Sequence, residues 1–297
     1  MEPTTLIPSR LTFIGGGHLA QALISGIYST SAWKDRCSIS ITARRSAHAN
    51  ALKEQYPSAF VTTDNLDPAI WSRENTQHLG AHILFICTRP ADVPDVALQL
   101  APVIKTLDAD ARPTVVTMCP GISVKQLQSW LPKDTPIVRS MPNTPVACCQ
   151  GATGLFPSSD AHKRVESVAF VLREVSPAVC ILSEESQLDV VAAISGSAPA
   201  HFYYLIESII SAAASHNLSP EIAQSLVVQS CIGAGFLARD AGKPIHRLRE
   251  EVCVPGGSTE KAISHMARHQ FPDTVATAIE KSLQANREMQ NVSRRDD

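Results

Sequence analysis

The sequence predicts an α/β protein in which an N-terminal doubly wound sheet is followed by an all-α C-terminal domain. Three observations carry that prediction. Short apolar runs alternate with helix-period segments through residues 1–182. The first of those runs ends in a glycine-rich turn that opens a helix. Beyond Leu182 the apolar spacing becomes wholly helical, so a second domain is expected over 183–297. With 297 residues, 44% of them hydrophobic and 18% charged, the chain has the length for two domains and the apolar content for a packed core.

Strands are expected over 11–14, 38–42, 81–88, 114–119, 137–140 and 178–182, with helical segments such as 19–28 and 93–104 between them. Strands this apolar are buried on both faces, which implies βαβ units and a parallel sheet. In the second half Phe202, Leu205, Ile206, Ile209, Ile210 and Ala213 recur at three- and four-residue spacing, the stripe of an amphipathic helix. Pro199 suits its first turn and Ser197 its cap. After the Asn217-Leu218-Ser219 break a second helix is expected over 220–239. Its 226–237 segment is apolar nearly all round and carries Gly233, Ala234 and Gly235. Such a helix needs cover on every side, and the small residues let another helix come close, so a subunit interface is expected there. Two more helices, over 259–268 and 273–289, complete the chain.

A formal net charge of −2 with no basic stripe argues against a nucleic-acid or membrane-surface partner. The apolar stretch 199–214 is interrupted by His201, Glu207 and serines, and is too short and too polar to span a bilayer. Eight cysteines include no C-x-x-C pair, so neither a zinc site nor a redox dithiol is indicated, and the adjacent Cys148-Cys149 read as ordinary thiols. No leader has the order of a signal peptide, and the first strand begins near Arg10. A reducing cytoplasm is the expected compartment.

The first strand runs into Gly15-Gly16-Gly17-His18-Leu19-Ala20 and then a helix, which is the G-x-G-x-x-A turn of a Rossmann-like domain. Gly15 permits the tight turn, Gly17 lets the backbone approach a pyrophosphate, and Ala20 allows close helix packing. The helix N-terminus then offers amides and a favourable dipole to phosphates. At the end of the second strand an enzyme using NAD places an acid for the ribose hydroxyl; this chain has Ala43-Arg44-Arg45-Ser46. Two guanidiniums and a hydroxyl suit a 2′-phosphate, so NADPH is the expected cofactor; the alternative is a solvated helix start. Two more strand ends, Cys87-Thr88-Arg89-Pro90 and Met118-Cys119-Pro120-Gly121, stop at proline or glycine on the edge where open α/β sheets bind ligands. In Met141-Pro142-Asn143-Thr144-Pro145, Asn143 offers a donor and an acceptor to a carboxamide, although such a loop taken alone is more often structural.

Together these segments resemble pyrroline-5-carboxylate reductase. The opening Phe13 to Leu23, the Met141-Pro142-Asn143-Thr144-Pro145 loop, Ser195-Gly196-Ser197-Ala198-Pro199-Ala200 and Pro255-Gly256-Gly257-Ser258-Thr259 occur in the family's order and at family-like spacing, over nearly the whole chain. The resemblance implies a helical domain that interleaves with a second subunit. It also implies cofactor contacts at Gly15, Gly16, Gly17, His18 and Leu19, near Arg44 and Arg45, at Asn65, at Cys87, Thr88, Arg89 and Pro90, and at Met118, Cys119 and Pro120. It places the substrate carboxylate on the turn around Gly256, Gly257, Ser258 and Thr259, where a helix start is a sound anion seat on physical grounds as well. The implied reaction is NADPH-dependent reduction of a C=N bond in a small cyclic imino acid, pyrroline-5-carboxylate to proline in the family. Thr259 is expected to position the substrate first and act in catalysis second; helix capping is its alternative role.

Departures from the family bear on the substrate. His18 stands where the family often has Asn or Gln, Arg89 replaces a usual Lys, Ala198 a Gly and His201 a Tyr. Val254 stands beside the carboxylate site where the family has Ser or Thr. The same chemistry on another ring is therefore one rival, and an NADP-binding homologue without turnover is a second. A β-hydroxyacid dehydrogenase is a third, but it needs a lysine on the first helix of the second domain, where this chain reads Ala200-His201-Phe202-Tyr203-Tyr204-Leu205.

Overall fold

The computed structural model describes residues 8–29, 33, 37–71 and 81–292. Among these, eight strands form one sheet: β1 (Arg10–Ile14), β2 (Ser38–Thr42), β3 (Phe60–Thr62), β4 (His82–Ile86), β5 (Thr114–Thr117), β6 (Ile137–Pro142), β7 (Ala152–Pro157) and β8 (Ala178–Ile181), in the order 3-2-1-4-5-6-7-8. Helices α1 (His18–Ser29), α2 (Ser46–Gln55), α3 (Pro68–Trp71), α4 (Val93–Thr106), α5 (Val124–Trp130), α6 (Val165–Leu172) and α7 (Gln187–Val191) join and flank the strands. Then come α8 (Ala198–Ala214), α9 (Pro220–Asp240), α10 (Ile245–Val252), α11 (Ser258–Arg268) and α12 (Phe271–Val292). The α/β class with a helical C-terminal region is as the sequence predicted.

Strand alternation divides the core. Leu11 and Phe13 of β1, with Ile83 and Phe85 of β4, enter the cluster that includes Leu23 and Ile27 of α1 and Val168 of α6. Ile14, Leu84 and Ile86 enter the opposite cluster with Val93, Ala97 and Leu100 of α4 and Leu127 of α5. The period of two thus sends neighbouring side chains to opposite helical layers. Phe13 and Phe85 stack across the β1–β4 pair at 5.0 Å. Large side chains such as these are fully buried, and each contributes roughly 1.5–3 kcal/mol by leaving water.

The expected parallel sheet gains one antiparallel strand that the sequence reading did not include. β7 pairs antiparallel with β6, Met141 opposite Gly154, because only the short loop after Asn143 joins them. That connection is too short for a crossover. The remaining pairs are parallel.

Two compact units divide the chain: residues 1–196 with 285–297, and residues 197–284. The expected change at 183 therefore falls inside the first unit. The reason is a buried arginine. Arg139 on β6, its side chain 8% exposed, pairs with Glu185 at 3.1 Å and Asp189 at 3.4 Å. Leu188 is buried beside them, and a Cβ on Gly154 would meet Leu188 and Val191 at 3.1–3.2 Å. A π-helical turn over Ala192–Gly196 ends the longer segment of this unit.

In the second unit α8 packs on α9. Ser219 caps α9 by accepting the Ile222 N–H at 3.4 Å. Ser197, expected to cap α8, makes no side-chain cap bond; its hydroxyl meets that of Ser282 at 3.3 Å. Phe202, Tyr203 and Tyr204 on α8, and Ile222, Leu226, Phe236 and Leu237 on α9, stand exposed in the single chain. By length and composition α9, rather than the 199–214 stretch, is the one described helix long and apolar enough to cross a membrane.

Candidate active site

The strands β1, β4, β5 and β6 end along one edge of the sheet. Ile14 C=O accepts the Cys87 N–H at 2.9 Å and Ile86 C=O accepts the Met118 N–H at 3.1 Å, so the three strand-end segments lie side by side. The glycine turn is shaped by different demands at each position. Gly15 has φ +97°, and a Cβ there would lie 3.1 Å from the Cys87 carbonyl. A Cβ on Gly16 would strike the Leu52 side chain. A Cβ on Gly17 would meet nothing nearer than the Cys87 carbonyl oxygen at 3.9 Å. The fold itself requires the first two glycines, while the space above the third is open to a ligand.

Ala20 is fully buried, as close helix packing requires. The first backbone bond of α1 runs from Gln21 N–H to Gly17 C=O at 2.9 Å. The amides of His18, Leu19 and Ala20 thus have no intrahelical acceptor, the arrangement in which a helix start receives phosphate. Gln21 braces the turn by donating to the Gly16 carbonyl at 2.9 Å, and the Gly15 N–H donates to Thr42 Oγ1 at 3.3 Å. The Thr88 hydroxyl is buried without a hydrogen-bond partner at the same edge. The open space at Gly17, the helix start and this orphaned hydroxyl fit a dinucleotide.

Arg44 and Arg45 follow β2 and are exposed; Arg45 occupies the cap position of α2 and makes no side-chain cap bond. Arg89 follows β4 and makes a forked pair with Asp92, Nε to Oδ2 at 2.9 Å and Nη2 to Oδ1 at 3.1 Å. That hydrogen bond, helped by the charges of Arg89 and Arg44, holds the Asp92 carboxyl below its ordinary range against an opposing desolvation. Asn65 lies beyond β3, its amide donating to Gln99 at 2.8 Å and its carbonyl accepting the Trp71 indole N–H at 3.0 Å.

A cleft of about 390 Å³ opens between α1 and the ends of β5 and β6. His18, Leu19, Met118, Pro120 and Asn143 line it, as do Ala22, Met141, Pro142, Thr144, Val146 and Ala147. Ala22 sits one helical turn after His18, so helix spacing could have flagged it; Val146 and Ala147 carried no sequence signal. The Asn143 carboxamide is committed to its own chain, accepting the Ala152 N–H at 2.8 Å and donating weakly to Ser195 at 3.4–3.5 Å. Its expected pairing with a cofactor carboxamide would compete with these bonds.

The two thiols at the edge are chemically quiet. Burial, with a smaller push from Cys119, raises the Cys87 thiol above its ordinary value. Burial also pushes Cys119 up to about 11, against hydrogen bonds from its neighbours, and its Sγ donates to the Thr88 carbonyl at 3.0 Å. Neither is a thiolate near neutrality.

Val254, Gly256, Gly257, Ser258 and Thr259 belong to the second unit and are described by themselves. Gly256 has φ +76°, and Gly257, whose N–H donates to the Val254 carbonyl at 2.9 Å, caps α11 with its backbone alone. Thr259 is half-buried in the first turn, while the Val254 side chain is exposed. Glu260 was missed by sequence reasoning: its carboxylate accepts the Gly256 N–H at 2.7 Å and sits in the anion seat of the helix start.

A doubly wound sheet with an open glycine turn, a helix start behind it and arginines after β2 defines a dinucleotide-dependent oxidoreductase of the NADP kind. Residues 10–111 match a family described as NADP oxidoreductase, coenzyme F420-dependent, and residues 185–289 match pyrroline-5-carboxylate reductase dimerisation. A delta-1-pyrroline-5-carboxylate reductase, apf3, of Gibberella fujikuroi is 43% identical over 94% of this chain and 95% of that protein. A pyrroline-5-carboxylate reductase of Mycobacterium tuberculosis is 30% identical over 92% of this chain and 94% of its own. The structure of a Coxiella burnetii pyrroline-5-carboxylate reductase superposes with a TM-score of 0.84 at 28% identity, covering 96% of this chain and 99% of that one. The chain belongs to the pyrroline-5-carboxylate reductase family.

Proposed function

We propose that this protein reduces L-1-pyrroline-5-carboxylate to L-proline with NADPH. The observation that carries the reading is the cleft between α1 and the ends of β5 and β6, which opens beside the glycine turn and is lined by apolar groups. Bound there, the reduced nicotinamide supplies a hydride to the imine carbon. The amides that open α1 and the exposed Arg44 and Arg45 hold the phosphates. Met118, Met141 and Pro142 exclude water from the ring face. The imine nitrogen, which would receive the C=N π pair, would take its proton from water. The described groups at the sheet edge provide no evident general acid: both thiols stay protonated far above neutrality, and Asn143 is engaged. Holding imine and nicotinamide face to face is then the protein's main contribution. Thr259 and the turn before it position the substrate carboxylate, with Glu260 displaced from the Gly256 amide.

A second reading, the same reduction on another cyclic imine, is favoured by Val254, whose exposed apolar side chain stands where a hydroxyl would serve a carboxylate. We place the protein in the cytoplasm as a homodimer whose apolar α9 lies against a second copy rather than lipid. NADPH absorbance is to be followed with pyrroline-5-carboxylate and with its six-membered analogue. Faster turnover of the five-membered ring supports the first reading and the reverse order the second. No turnover of either would defeat both.

A further inference from the structure

We propose that Asp92 is a positioning residue of the 2′-phosphate site. Its carboxylate fixes the Arg89 guanidinium so that Arg89 and Arg44 close on the phosphate from two strands. The inference rests on the NADPH reading above. Arg89 follows β4 and Arg44 follows β2, the two neighbours of β1, so they stand on either side of the glycine turn. A guanidinium carries five N–H groups in a rigid fork. Asp92 occupies one edge, Nε at 2.9 Å and Nη2 at 3.1 Å. The other edge, formed by Nη1 and the second Nη2 hydrogen, remains in the geometry that receives a phosphate bidentately.

Without Asp92 the Arg89 side chain, 72% exposed, would lose its rotamer on release from the fork, and binding would bear the entropy of ordering it again. Two bland roles for Asp92 carry little weight. It stands at the cap position of α4 but makes no side-chain cap bond, so helix capping is not its contribution. An exposed pair three residues apart contributes little to stability. Charge and positioning then predict opposite signs. Removing an acid beside a phosphate site tightens phosphate binding if charge alone matters, and weakens it if the acid aims an arginine.

The test is calorimetric titration of the full-length protein with adenosine 2′,5′-bisphosphate and with 5′-AMP, which needs no turnover. Wild type is expected to prefer the bisphosphate. Asp92→Asn is expected to weaken the bisphosphate about tenfold, the equivalent of about 1.4 kcal/mol, and to leave 5′-AMP unchanged. Asp92→Glu, which keeps the carboxylate, is expected to recover most of the loss. Unchanged or tighter bisphosphate binding by Asp92→Asn overturns the proposal, as does an equal loss for both ligands. Arg44→Ala separates the two failures. If it loses the bisphosphate selectively while Asp92→Asn does not, the NADPH reading stands and only the role of Asp92 falls. If wild type itself shows no preference, the NADPH reading fails and takes this inference with it.

Discussion

The side-chain carbonyl of Asn143 accepts the backbone N–H of Ala152 at 2.8 Å, and the Asn143 N–H donates to the Ala152 carbonyl at 3.2 Å. The pair closes the loop between β6 and β7 on itself, and that loop is a wall of the cleft. Asn143→Ala removes the acceptor and leaves a part-buried N–H unpaired, at a cost of about 1–3 kcal/mol. A lower melting temperature is expected, with Asn143→Asp recovering most of it because the acceptor is kept. Equal melting of Asn143→Ala and wild type would show that the loop does not depend on this bond.

A buried histidine sets part of the acid sensitivity. His82 on β4 meets Thr12 Oγ1 at 2.9 Å, packs edge-on against Trp71 at 6.1 Å, and has no partner for Nδ1. Burial, helped by the charge of Arg10, lowers its pKa from 6.5 to about 3. Between those values the unfolded chain binds the proton and the folded chain does not. Stability therefore falls on acidification through that window, by at most about 1.4 kcal/mol per pH unit from this group. Denaturant titrations from pH 7 to pH 4 are expected to show a shallower acid limb for His82→Gln than for wild type. Parallel limbs would rule out His82 as the source.

How legible these features were depended on how local their causes are. The glycine turn and the position of Arg44 and Arg45 between β2 and α2 could be read because each answers to its own strand end and helix start. β7 was missed because Gly151, Gly154 and Pro157 punctuate it like a loop. Gly154 is there to admit Leu188 and Val191, contacts that sequence spacing does not reveal. That the residues just after 183 pack with the sheet was hidden for a similar reason, since Arg139 reaches across the chain to Glu185 and Asp189. Asn143 offered its donor and acceptor openly in the sequence, but that both are engaged within the chain is a fact of three dimensions. Helix α10 escaped notice because charges fill half of its positions.

The C-terminal domain matches the family's dimerisation domain, and α9 is the element most in need of cover. Gly233 and Gly235 have no neighbouring atom within 4 Å of a Cβ in the single chain. Their smallness thus answers to nothing inside one copy and suits a close approach by a second. Gly233→Arg would drive a long charged side chain into that contact. Sedimentation is expected to show monomer or aggregate for the variant and at least a dimer for wild type. A dimeric variant with wild-type affinity would move the interface away from this face.

Substrate recognition is tested at the proposed carboxylate seat, which is already engaged. The Gly256 amide and the first turn of α11 are suited to an anion, yet Glu260 holds that amide at 2.7 Å. On the proposed reading a substrate carboxylate displaces it, and Thr259, in the same first turn, supplies a hydroxyl in exchange. Thr259→Ala is expected to reduce kcat/KM for the imine by roughly tenfold, corresponding to about 1.4 kcal/mol of lost hydrogen bonding. NADPH affinity is expected to stay near wild type, since the phosphate contacts proposed above involve the sheet edge and not this turn. Val254→Ser then separates the two rings. If pyrroline-5-carboxylate is the native substrate, restoring the hydroxyl holds or improves its turnover. If Val254 serves a different ring, the substitution raises a low activity on pyrroline-5-carboxylate and depresses the native reaction. Thr259→Ala with unaltered kcat/KM on whichever ring proves native would remove the turn from the substrate site altogether.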